Sequence, residues 1–145
     1  MILRALPALF ALASAPMLCA GDGQSSVQHD AAKGTVTVKF GDSVFTTLHY
    51  KGFAKPILHP INLTGAGNLV REWPVTDAAP GEEQDHPHHK GLWFTHGAVN
   101  GGDFWKEAPD AGKIIVTGEP ISSGGGDKPV TITTSENWTA PDGKK

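Results

Sequence analysis

Cysteine is nearly absent: Cys19 is the only one in 145 residues, and it falls inside the apolar N-terminal stretch. Cleavage after Ala20 leaves no thiol, which excludes disulfides and thiolate chemistry from the mature chain. Basic clusters are missing too. With a formal charge of −3 and no run of Lys or Arg, the chain lacks the footprint of a nucleic-acid or anionic-membrane binder. No window carries the i, i+3, i+4, i+7 apolar stripe of a helix. After residue 20, no apolar run approaches the ~20 residues of a membrane-spanning helix. Zincin, P-loop and nucleophile-elbow patterns are absent as well. Glycine and proline are plentiful, at 18 and 11 residues, which favours turns over long helices.

The N-terminus reads as a signal peptide over residues 1–20. Arg4 supplies the positive region, Ala5 to Ala20 are uncharged and apolar, and Gly21-Asp22-Gly23-Gln24 turns polar. Pro7 and Pro16 interrupt the run and argue against a membrane anchor. Export to the periplasm or beyond follows. Pro16-Met17-Leu18 before Cys19 makes a poor lipobox, because a small residue is wanted beside the cysteine. Residues 21–33 are small, polar and aperiodic, as in a flexible leader, and the domain proper spans 34–145.

From Gly34 the pattern has period two. Val36, Val38 and Phe40 share one strand face, and Gly41-Asp42 leads into Ser43–Tyr50, which predicts a hairpin. Further strands are expected at Pro56–His59, Asn68–Glu72, Gly91–Thr95, Lys113–Gly118 and Val130–Trp138, with loops at Glu107–Gly112 and Ser122–Lys128. The expectation is an all-β antiparallel fold, a sandwich rather than a closed barrel. Pro141-Asp142-Gly143 is turn chemistry that calls for a returning strand, so the chain is expected to stop mid-architecture with an unpaired edge.

Four of the seven histidines lie within eleven residues, in Asp85-His86-Pro87-His88-His89-Lys90-Gly91-Leu92-Trp93-Phe94-Thr95-His96. In an extended backbone His86 and His88 point to one side and His89 to the other, with Pro87 marking an edge. Three chemistries fit such a cluster. His86, His88 and His96 could ligate copper, iron or zinc. A histidine oriented by Asp85 could do acid–base work near neutral pH. Imidazole and indole could also grip a polar ligand without catalysis. A cupin site fits poorly, since the spacing is one residue short and no Glu follows His88 at the required distance. His96-Gly97-Ala98-Val99-Asn100-Gly101-Gly102-Asp103-Phe104-Trp105 adds amide, carboxylate and indole groups around an Asn-Gly type I′ turn, the groups a sugar site needs. Trp73 and Trp93 are expected in the core.

The runs Lys55–Pro60, Leu69-Val70-Arg71, Asp85–Phe94, Val99-Asn100-Gly101 and Asp103-Phe104-Trp105 together resemble the exported bacterial proteins labelled "methane oxygenase PmoA". The resemblance extends from about Gly34 to the C-terminus. It implies a β-supersandwich like that of mutarotase-type sugar proteins, of which this chain would supply the N-terminal half. The membrane subunit behind that label is a multi-helix protein, so the label is a name and not a mechanism here.

The resulting expectation is a domain that binds or processes carbohydrate. Its catalytic groups would be His86, His88, His89 and Asp85, and its substrate-binding groups His96, Asn100, Asp103 and Trp105. A small molecule or glycan is the expected partner, and no cofactor is required. The alternative is a copper- or iron-dependent, oxygenase-type redox protein using His86, His88 and His96. A third is a non-catalytic, truncated remnant.

Overall fold

The computed structural model describes residues 23–144, so the signal-peptide assignment lies outside the described residues. Among these residues there is no helix, and every strand pair is antiparallel. The protein is all-β, as its period-two patterning requires. Strands β1 (Ser25–Asp30), β2 (Thr35–Phe40), β3 (Ser43–His49), β4 (Ile57–Leu63) and β5 (Gly67–Asn68) form one sheet in chain order. Two antiparallel pairs complete the set: β6 (Lys113–Val116) with β9 (Glu136–Thr139), and between them in sequence the hairpin of β7 (Ile121–Gly125) with β8 (Lys128–Thr133).

The β2–β3 hairpin has the expected two-residue loop, closed by the pairing of Phe40 with Ser43. Gly41 alone takes a positive φ there (57°), the type II′ pattern that matches strand twist. Val36 and Val38 are buried on the inner face, whereas Phe40 emerges at the strand end and packs edge-to-face on Phe45. Val36, Leu48 and Tyr50 form the core cluster, with Val27, Leu58, Val116 and Ile132 packed against it. The β6 and β8 side chains thus reach the inner face of the large sheet.

Five local expectations are corrected, the first being the strand at Asn68–Glu72, where pairing ends at Asn68 with β5. The leader 21–33 contains β1, which pairs with β2 along its whole length. Only Val27 of that strand joins the core, so polar β1 carries no alternation to detect. The 91–95 segment makes one bridge, Leu58 to Leu92, in place of a strand. Gly91 (φ 64°) sits so close to β4 that an added Cβ would lie 2.3 Å from the Leu58 carbonyl oxygen. Ser122–Lys128 is mostly β7 and its turn, and 130–138 splits into β8 and β9. Pro141-Asp142-Gly143 does form a turn, with Ala140 N–H donating to the Lys144 carbonyl at 2.8 Å.

Candidate functional site

The connection from residue 69 to 112 carries the site and contains no strand longer than an isolated bridge. A connection of that length inside a compact domain is usually a working segment. Its fold begins at Pro87. His86 C=O accepts from His89 N–H at 3.0 Å, which makes 86–89 a β-turn with proline in its preferred second position. The extended arrangement expected from the sequence is therefore replaced by a turn, and the turn draws all three imidazoles together. His86 and His89 stack at 4.8 Å with 10° between planes, and His88 packs edge-on to both, at 5.7 and 4.4 Å.

Two indoles extend the cluster. Trp93 lies 5.5 Å from His89, and Trp105 lies 6.5 Å from His88, 6.1 Å from His89 and 5.7 Å from Trp93. Trp93, expected in the core, is half-buried beside His89. Trp105 is 45% exposed, so an aromatic face is open to solvent beside the imidazoles.

Asp85 and His86 form a dyad, with 2.5 Å between Oδ2 and Nδ1. Arg71 holds the other oxygen: its Nη1 and Nη2 both donate to Asp85 Oδ1 at 3.3 Å. The same guanidinium donates to the Glu83 carbonyl and lies 3.6 Å from Glu82 Oε1. Partial desolvation works to raise Asp85, but the hydrogen bonds from His86 and Arg71 outweigh it and keep the carboxyl below its ordinary range. Desolvation lowers His88, and the neighbouring His86 and Lys55 charges add to the effect. His89 is lowered by the same cause, reinforced by His88, His86 and Arg71. Both shifts favour the neutral ring, which presents an acceptor nitrogen.

A buried charge bridge clamps the two halves of the cluster. Lys55, 3% exposed, donates to the Trp105 carbonyl at 2.9 Å and lies 3.6 Å from Glu107 Oε1. Glu107 Oε2 pairs closely with Lys90, whose Nζ also donates to the Pro87 carbonyl at 2.7 Å. Burial pulls Lys55 below its ordinary value, and Glu107 opposes that pull. The bridge ties the histidine turn to Trp105 through side chains far apart in sequence.

The other expected substrate contacts are placed elsewhere. His96 Nδ1 accepts from Ala98 N–H at 3.1 Å, and its carbonyl accepts from Phe104 N–H. Asn100-Gly101 makes the expected type I′ turn, with φ of 50° and 81° and reciprocal Val99–Gly102 hydrogen bonds of 2.9 Å. Asn100 borders a cleft shared with Trp138 and Pro141. Asp103 Oδ1 accepts from Trp105 N–H at 2.8 Å, so it shapes the backbone leading into Trp105. Phe104 is buried against Trp138. Of the expected substrate set, only Trp105 meets the histidines in ring contact.

The metal set His86, His88 and His96 is not assembled either. Among the described residues no three His, Cys, Asp or Glu side chains are grouped to hold an ion. His96 is folded into its own turn, with its Nδ1 on Ala98.

Arg71, Lys90, Glu107 and Lys55 were not singled out from the sequence. Their one signal is that Lys55, Arg71 and Lys90 sit within the motif runs. A second polar group lies on β3 and β4. His59, also 3% exposed, has Nε2 3.2 Å from Glu72 Oε2, although the two are not aligned for a hydrogen bond. His49 Nε2 meets the His59 carbonyl at 3.1 Å. Asn68 donates to Glu72 and lowers it, and Thr76 completes its shell.

Residues 35–145 match the family described as "Family of unknown function (DUF6807)". The chain belongs to that family. No curated protein and no solved structure matches it. The match begins at the first residue of β2 and spans the whole 69–112 connection, so every residue of the cluster lies inside the family region.

Proposed function

We propose that the chain is an exported domain that binds or processes carbohydrate, with the His86/His88/His89 turn and Trp105 as its contact surface. The observation that carries this reading is a half-exposed indole packed beside imidazoles and an Asp85–His86 dyad. An indole face stacks on the C–H face of a sugar ring, while imidazole nitrogens accept from hydroxyls. Asp85, fixed by Arg71, orients His86 and would stabilise its imidazolium as His86 takes and returns a hydroxyl proton. The resemblance to the PmoA-labelled proteins, which implies a mutarotase-type supersandwich, supports the same reading, and with it comes the reading of the antiparallel sheets as part of a sandwich.

The test is titration of the full chain with a panel of mono- and oligosaccharides, followed by NMR and calorimetry. Trp105→Ala should weaken the best ligand about tenfold, the scale of one lost stacking contact. His88→Ala should weaken it as well. Asp85→Asn should leave binding nearly intact and depress turnover of any sugar that is processed. Wild-type binding and turnover in both Trp105→Ala and His88→Ala would sink the reading.

A further inference from the structure

We propose a second site: a cleft between the five-stranded sheet and β8 that binds the apolar tail of a carboxylated amphiphile, with Lys128 taking the head group. The cleft has a volume of about 430 Å³. That is within the range of small-molecule sites. One wall is Val38 of β2, Phe45 and Leu48 of β3 and Leu58 of β4; the other is Val130 and Ile132 of β8. None of its lining residues belongs to the 69–112 connection, so the proposal stands apart from the sugar reading.

Two properties define the occupant. The lining is overwhelmingly apolar, and water gains little in such a space because it finds too few hydrogen-bond partners. An alkyl chain, in contrast, gains dispersion contacts and leaves water on entering. The single charged lining residue is Lys128, which has no acidic partner among the described residues, and no carboxylate lines the cleft. Of the three lining hydroxyls, those of Ser25 and Thr134 are engaged, with Gly126 and Glu136 respectively, and Thr46 Oγ1 is the one buried polar atom of the lining left without a partner. One unpaired cation at an apolar cleft selects an anionic head over a cationic one. A fatty-acid-like molecule supplies both parts.

The experiment titrates the full chain with dodecanoate, dodecanol and dodecyltrimethylammonium, each below its micelle concentration, by calorimetry and NMR. Dodecanoate should bind saturably at one equivalent, raise the unfolding temperature, and shift resonances of Val38, Leu48 and Ile132. The trimethylammonium compound should bind more weakly than either. Lys128→Glu, at an exposed position, should weaken dodecanoate about tenfold, the scale of reversing one charge contact, and leave dodecanol nearly unchanged. Val130→Trp, checked for folding by circular dichroism, should fill the cleft and abolish binding of both. Absence of saturable binding, or equal dodecanoate affinity in wild type, Lys128→Glu and folded Val130→Trp, would overturn the proposal. Equal affinity for dodecanoate and the trimethylammonium compound would overturn the assigned head group.

Discussion

The meander β1–β5 and the connection 69–112 are held together by different physics. The meander is a repetitive backbone ladder with a small apolar face centred on Val36, Leu48 and Tyr50, and with Ile57 buried on the other face. The connection has almost no ladder. Its shape comes from the Pro87 turn, the Asn100-Gly101 turn, the Asp103 cap and two charge bridges, Arg71 with Glu82 and Asp85, and Lys55–Glu107–Lys90. A ladder tolerates many side chains because the backbone makes its bonds. A charge bridge depends on each named group, and that is the architecture of a surface whose side chains are held in place for use.

The largest expected effect breaks the bridge. Glu107→Ala leaves the buried Lys55 ammonium unpaired and should destabilise the protein by about 3–5 kcal/mol. Urea unfolding measures it, and tryptophan fluorescence should report disturbance of Trp93 and Trp105 before strand content falls. If fluorescence and strand signals were lost together and stability fell by less than about 1 kcal/mol, well short of a broken buried pair, the distinction between the two regions would collapse.

Ile57→Ala is the matching change in the meander and should cost about 2–5 kcal/mol through the cavity it leaves. Here strand and tryptophan signals should fall in one transition, since the core supports both regions. Gly91→Ala tests the seam between them. Its positive φ alone costs about 1–3 kcal/mol for a residue with a Cβ, and the Leu58 carbonyl stands in the way. Lys55→Met is gentler, because Glu107 keeps Lys90; losing the donor to the Trp105 carbonyl should cost about 1–3 kcal/mol.

The smallest effect is in pH. His88 and His89 both titrate below the ordinary imidazole value of 6.5 in the folded protein. Between the folded and unfolded values the unfolded chain binds more protons, so stability rises with pH. Stability should be complete above about pH 6.5 and decline as pH falls through the folded values. Replacing both residues by Gln should flatten that slope in pH-dependent unfolding curves, and an unchanged slope would show that other groups cause it.

Much of the meander was legible because its signals are local. Val36 and Val38 alternate, Gly41-Asp42 has the chemistry of a two-residue turn, and Asn100-Gly101 has that of a type I′ turn. β1 was not legible, since Ser-Ser-Val-Gln-His-Asp has one core-facing residue and gains its strand state from β2. The 86–89 segment is ambiguous in the sequence for a related reason. Proline suits both a strand edge and the second position of a turn, and only the His86–His89 hydrogen bond decides for the turn. Trp93 was assigned to the core because large aromatics usually go there.

The sequence by itself determined the all-β character, the two tight turns and the stretch in which imidazoles, indoles and carboxylates are concentrated, because each depends on neighbours within a few residues. The tertiary structure alone decided which of those groups meet. It brought Trp105 to His88 and His89, left His96 and Asn100 in their own hairpin, and joined Lys55 to Glu107 and Lys90. Such meetings depend on where distant segments are anchored, and an ion pair such as Lys55–Glu107, whose partners are far apart in sequence, leaves no periodic trace in the chain.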